Sequence, residues 1–190
     1  MSMSIAGTER KHWTAADLRE IPDDRNRYEI VDGELFVSPS PTFVHQRIVG
    51  RLFVILDAYT AAHKFAETLI SPADIEFADD TVVQPDVFVF PLTEGKPPKR
   101  WEDIGHLLLA IEILSPGTAR TDRTVKRRRY QREGIPEYWI VDSDAQIVKR
   151  WRPLDDRPDI LSDRLEWQPD SAFPALDIDL PALFAAAVAG

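Results

Sequence analysis

Residues 107–117 read LLLAIEILSPG, seven apolar side chains around a single carboxylate, Glu112. A strand this continuously apolar is one covered on both faces, so the chain needs packed layers above and below a sheet. A lone carboxylate inside it costs several kcal/mol, or neutralises, unless something compensates its charge. Glu112 therefore constrains the fold and raises the question of function together.

The flanking segments supply the layers. Thr14-Ala15-Ala16-Asp17 has the form of an N-cap with an acid in the first turn, opening a short helix toward Ile21. In RYEIVDGELFVS, Asp32-Gly33 is a two-residue hairpin signal between β-prone runs, and Pro39 and Pro41 stop the second strand. From Thr42 to about Lys64, Val44, Ile48, Leu52, Ile55, Leu56 and Tyr59 recur at helical spacing. FAETLI, ADIEF and VVQPDVFVF then read as strands, TEGKPPKR as a loop and WEDI as a turn. After the Glu112 strand, Thr118 to Glu133 reads as a polar helix closed by Gly134, and EYWIVD and AQIVKRWRP as a hairpin. The tail holds a strand at RLEW and a helix at DLPALFAAAVA, with Asp179 as N-cap and Pro181 just inside. A strand, a crossing helix and a returning strand over 107–142 form a right-handed βαβ unit. The expectation is an α/β fold, a mixed sheet flanked by helices, with a helix, three strands, a helix and a strand at its core.

At 190 residues the chain suits a single domain over 1–190, with its core at about 14–150 and a C-terminal extension at about 151–190. There are no cysteines, and His12, His45, His63 and His106 lie too far apart for zinc-ligand spacing. The first residues, MSMSIAGTERKHWT, lack the apolar stretch of a signal peptide, and no apolar run reaches the roughly 18 residues of a membrane span. A cytoplasmic protein without a membrane partner is the default expectation. The net charge of -9 argues against a surface coated in phosphate-binding side chains. One segment runs against it: residues 120–132, RTDRTVKRRRYQR, carry seven Lys or Arg and one acid. That run is either a focal polyanion contact or a solvated helix face.

Two acids stand where chemistry needs them. Asp86 opens the apolar strand VFVF, and Glu112 lies within the next strong strand. If the strands are neighbours, both carboxylates project from one region of the sheet, an arrangement suited to a hard cation such as Mg²⁺. Asp86 alone reads rather as a turn cap before the strand, and Glu112 as half of a buried salt bridge. On the following helix, Asp122, Lys126 and Tyr130 are four residues apart and share one face. Two acids and a lysine around a metal suit phosphodiester hydrolysis. The plainer reading pairs Lys126 with Asp122 on the helix surface.

The order YEIVDGEL, a helix opening near His45, QPDV, EILSPGT, then Asp122, Lys126 and Tyr130, then GIPEYWIVD, resembles the bacterial family catalogued as putative restriction endonucleases, once a domain of unknown function. That family falls within the PD-(D/E)-x-K nuclease superfamily, and the resemblance covers about residues 14–150. It implies a restriction-endonuclease-like fold, Mg²⁺ as cofactor with Mn²⁺ able to substitute, and DNA as substrate. Pro85-Asp86 matches the PD element and Glu112 the acidic one. Leu114 stands where the plain motif has lysine, and Lys126 takes that role from the helix. The resemblance implies Glu34 as either a further metal ligand or a surface hairpin carboxylate, and Gln84, Asp122 and Tyr130 as supporting residues, with His45 in support or, more in keeping with its place, structural near the helix start. Arg123, Arg127 and Arg128 are candidates for phosphate contacts.

Three functions follow. The first is a Mg²⁺-dependent endonuclease; the second, a non-catalytic nucleic-acid or protein-interaction module on the same scaffold. The third is a phosphodiesterase acting on RNA or small nucleotides. No GxxxxGK loop is present for nucleoside triphosphate hydrolysis. Trp139 and Trp151, on the hairpin after the helix, mark either a homodimer interface or core.

Overall fold

A computed structural model describes residues 12–188 apart from Asp23, Arg25, Pro39 and Pro116. The leader residues 1–11, Pro39 as a strand stop and Pro116 as a strand break lie outside the described residues. Thr14 opens α1 (Ala15–Arg19) through a reciprocal capping box with Asp17. The hairpin β1 (Arg27–Val31) and β2 (Glu34–Ser38) closes at Asp32 and Gly33, both with positive φ, as a two-residue loop between twisted strands requires. Thr42 caps α2 (Phe43–His63) through the His45 N–H, and Lys64 ends it in the left-handed conformation.

Strands β3 (Ala66–Ile70), β4 (Ile75–Ala78), β5 (Thr81–Val83) and β6 (Val87–Pro91) follow. The stretch VVQPDVFVF, expected as one strand, is two. Pro85 has no N–H to donate to a ladder, and the chain leaves one sheet for another there. The strands β4 and β5 join the hairpin in a four-stranded sheet ordered β2-β1-β5-β4.

The main sheet has six strands and includes β7 (Leu109–Ile113), β8 (Glu137–Asp142), β9 (Ile147–Trp151) and β10 (Asp159–Leu161), ordered β10-β9-β8-β7-β6-β3. Only β7 and β8 run parallel, joined by the helical crossover; the other neighbours are antiparallel. That crossover is continuous but irregular: α3 (Ala119–Thr121), a π-helical turn at Asp122–Lys126, then α4 (Arg127–Arg132). Gly134, with positive φ, follows its end. The expected helix over 118–133 is present, with a π turn that hydropathy spacing does not reveal.

Side chains alternate between two cores. Val87, Val89, Leu109, Ile111, Ile113, Trp139 and Val141 face α2 and the C-terminal extension. Phe88, Phe90, Ala110, Tyr138 and Ile140 face Tyr130 of α4 and Val31, Ile75 and Val83 of the smaller sheet. Both faces of β7 are covered, which is why its sequence is continuously apolar. The extension adds the pair β11 (Arg164–Trp167) and β12 (Leu176–Asp179), then α5 (Leu180–Val188), where the Ala182 N–H donates to Asp179. Trp139 is fully buried among core side chains, and the Arg127 guanidinium stacks 4.6 Å over Trp151. The aromatic pair is therefore core and stacked edge rather than an exposed interface. No helix among the described residues is long and apolar enough to cross a membrane.

Candidate active site

The alternation that separates the cores also places the carboxylates. Glu112 shares the face of β7 with Ala110, toward α4, while Asp86 stands one residue before β6 on the face of Phe88. Register Val87↔Ile111 makes the two strands neighbours, and the Ile113 N–H donates to Asp86 Oδ2 at 2.8 Å. Both acids are buried.

The π turn aligns Asp122 and Lys126 behind them, with Tyr130 one turn on, and all three side chains are inside. Lys126 Nζ donates to Glu112 Oε1 at 2.9 Å and lies 3.7 Å from Asp122 Oδ1. Tyr130 adds a 3.2 Å bond to the same Glu112 oxygen, and the Tyr138 hydroxyl holds the Asp122 main-chain carbonyl at 3.2 Å.

The shortest contact of Lys126, 2.7 Å, is to Glu29 Oε2, a residue absent from the sequence-based set. Glu29 sits mid-strand in β1, buried, and its other oxygen accepts the Gln84 N–H at 2.7 Å. Two residues earlier, Arg27 Nη1 donates to Asp86 Oδ1 at 2.7 Å and its Nε lies 3.8 Å from Glu29. His45 Nε2 reaches the same Asp86 oxygen at 3.3 Å, while its buried Nδ1 has no hydrogen-bond partner among the described residues. Four buried carboxylates, Glu29, Asp86, Glu112 and Asp122, thus share two fixed cations, Lys126 and Arg27.

Charge states follow from that ratio. Burial pushes the Asp86 carboxyl up, but the His45 hydrogen bond and the Arg27 charge outweigh it and hold it at about 2, below the ordinary 3.8. For Glu112 burial dominates: Lys126 pulls the carboxyl down, yet Asp86, Asp122 and Glu29 help drive it well above the usual range. Asp122 is also raised, by burial against the pull of Lys126. Burial opposes the Lys126 charge, but Glu112, Glu29 and Asp122 more than restore it and hold the ammonium above the ordinary lysine value.

Asp86 opens onto a cleft of about 610 Å³, lined also by Arg27, His45, Gln84, Ser71, Ser115 and Thr118. Glu112 and Lys126 are buried and do not line it. The structure thus brings Asp86, Glu112, Lys126, Asp122, Tyr130 and His45 together, with Gln84 at the rim. Glu34 is not among them: it is exposed at the hairpin end, paired in register with Val31. Nor are the three arginines. Arg123 pairs with Asp142 at 2.9 Å, Arg127 bonds Gln131 and covers Trp151, and Arg128 is exposed beside Asp32 and Pro153. Arg123 and Arg128 are exposed, and Arg127 is half-buried against Trp151, so none of the three shares the inward positions of Asp122, Lys126 and Tyr130.

The donor set fits a hard divalent cation. It is all oxygen, carries more negative than positive charge, and both Asp122 carboxylate oxygens are buried with no close donor at hydrogen-bond geometry among the described residues. Among the described residues no three His, Asp or Glu side chains converge on one point, since Arg27 and Lys126 occupy the spaces between them.

The architecture is that of a nuclease fold. A crystal structure of a putative nuclease belonging to DUF820, from Anabaena variabilis ATCC 29413, matches with a TM-score of 0.76 at 19% identity. The match spans 92% of this chain and 99% of that one. The family model described as putative restriction endonuclease, Uma2, matches residues 15–181, and the chain belongs to this family. No curated protein matches the chain.

Proposed function

We propose that this chain is a divalent-cation-dependent endonuclease that hydrolyses DNA phosphodiester bonds at the Asp86 cleft. The observation that carries the reading is the buried set of four carboxylates and Lys126, of which Asp86 lines a cleft. Membership of the family described as putative restriction endonuclease supports it.

Asp86 and Glu112 are the residues that would hold Mg²⁺ or Mn²⁺. A cation there would neutralise phosphate charge and lower the pKa of an attacking water. The chain's own side chains set up that chemistry. Lys126 and Tyr130 fix one Glu112 oxygen, which leaves Oε2 for ligation. The Ile113 N–H on Asp86 Oδ2, and Arg27 and His45 on Oδ1, fix the orientation of the carboxylate. Lys126 holds Glu112, Glu29 and Asp122 in one group and pulls the Glu112 and Asp122 carboxyls down against burial. Ser71, Ser115 and Thr118 line the walls with hydroxyls that can position a sugar-phosphate chain.

The test is cleavage of supercoiled plasmid with Mg²⁺ or Mn²⁺. Asp86→Ala, Glu112→Gln and Lys126→Met should each reduce cleavage by about 10²-fold or more. Wild-type protein that binds Mn²⁺ yet leaves plasmid, single-stranded DNA and RNA intact would favour a non-catalytic module instead.

A further inference from the structure

Arg27 occupies a position in tension with the proposed chemistry. Of the two Asp86 oxygens, Oδ2 is taken by the Ile113 N–H, and Oδ1 accepts from Arg27 at 2.7 Å beside His45 at 3.3 Å. A cation that ligates Asp86 through Oδ1 meets a guanidinium of the same charge sign already bonded to that oxygen. At bonding distance to one oxygen the two repel, and the repulsion falls if the guanidinium moves off.

Arg27 is the group able to do so. Lys126 is sealed in the interior, but Arg27 is 21% exposed, begins its strand and lines the cleft. It is also the cleft's one Lys or Arg among the described lining residues. Arg123, Arg127 and Arg128, which the sequence suggested for phosphate contact, face elsewhere. A phosphodiester in the cleft therefore has Arg27 as its nearest fixed cation, and a guanidinium matches phosphate oxygens in bidentate geometry.

Resting on the metal-dependent reading above, we propose that Arg27 is an exchangeable placeholder. It neutralises Asp86 in the metal-free site, yields that oxygen to the incoming cation, and transfers to the phosphate of the nucleic acid. In the exchange the guanidinium sits on Asp86 before loading; afterwards the divalent cation would sit on Asp86 and the guanidinium would cancel the charge of the phosphate. Its corollary is that Arg27 opposes metal binding and favours substrate binding, opposite signs that a purely structural residue would not produce.

Calorimetric titration of Mn²⁺ into the full chain reads the first sign. Arg27→Gln should bind Mn²⁺ about tenfold tighter than wild type, and Arg27→Lys should fall between them. Anisotropy of a fluorescent oligonucleotide in Ca²⁺ reads the second, with Arg27→Gln binding about tenfold more weakly. Circular dichroism establishes that each variant is folded. Equal or weaker Mn²⁺ binding by folded Arg27→Gln overturns the placeholder role, and unchanged oligonucleotide affinity overturns the transfer to phosphate. If wild type and Arg27→Gln alike bind no Mn²⁺ at millimolar concentration, the metal-dependent function itself fails; wild-type binding with no difference between them defeats the Arg27 proposal alone.

Discussion

Lys126 Nζ lies 2.9 Å from Glu112 Oε1 and 2.7 Å from Glu29 Oε2, so one ammonium from the helix ties a central strand of the main sheet to the smaller sheet. The contact is wholly buried. A buried pair of this kind adds little net stability over apolar packing, but losing one partner is expensive because the other charges stay behind. Lys126→Met should therefore lower unfolding free energy by about 3–5 kcal/mol in a denaturant titration. Lys126→Met with Glu112→Gln should lose less than Lys126→Met alone, since the stranded charge is removed with its partner. Equal losses in the single and double variants would show that Glu112 is not the group Lys126 neutralises.

Asp86 gives the metal-free protein a pH-dependent component of stability. Its folded value of about 2 is depressed below the ordinary 3.8, against burial, by His45 and Arg27. A depressed carboxyl stabilises the fold above its unfolded value and loses that stabilisation as pH falls through the folded one. The shift corresponds to about 2 kcal/mol, present at neutral pH and lost between about pH 4 and pH 2. The stability gap between wild type and Asp86→Asn should thus narrow across that window, in melts recorded without divalent cations. A gap independent of pH would mean that Asp86 is not held ionised by its neighbours.

The outward arginines separate stability from activity. Arg127 stacks on Trp151 and bonds Gln131, whose amide in turn donates to the Arg152 and Asp155 carbonyls. Arg127→Ala should lower stability by about 0.5–1 kcal/mol while plasmid cleavage changes little. Arg128 is exposed on the same helix, so Arg128→Glu should leave cleavage within about twofold of wild type. A large drop in cleavage for Arg128→Glu would place the nucleic acid along this helix rather than in the Asp86 cleft.

Local rules made much of this legible, and their limits explain the rest. The order of helices and strands follows from hydropathy period, and the inward face of Asp122, Lys126 and Tyr130 from their four-residue spacing. The buried run around Glu112 announced a doubly covered strand. What stayed hidden depends on contacts distant in sequence. Within RYEIV, Glu29 alternates with apolar neighbours and reads as a solvent-facing strand residue. Its burial arises because β5 pairs beside β1, at Ile30↔Val82, bringing the Gln84 N–H to its carboxylate from 55 residues away. Arg27 escaped notice for the same reason, its partner Asp86 being 59 residues on. The basic run over 120–132 misled in the other direction, because density of charge in sequence says nothing about which turn of the helix faces the cleft.

The two glutamates of the β1–β2 hairpin are the sharpest contrast. Glu29 is buried, bonded to Lys126 and to the Gln84 N–H, whereas Glu34, five residues later, is exposed. The hairpin register sets the difference: Glu29 lies opposite Phe36 within the ladder, Glu34 opposite Val31 at the turn. Glu29→Gln removes one of the negative charges that keep Lys126 fixed and leaves an amide N–H₂ or carbonyl facing the ammonium. It should reduce plasmid cleavage by about tenfold or more and lower stability by about 1–3 kcal/mol. Glu34→Gln, by contrast, should change stability by no more than about 0.5 kcal/mol and leave cleavage and Mn²⁺ affinity near wild type. The reverse outcome, with Glu34→Gln inactive and Glu29→Gln intact, would require the hairpin to pivot over the cleft in the working protein, and with it the whole arrangement of Arg27, Glu29 and Lys126.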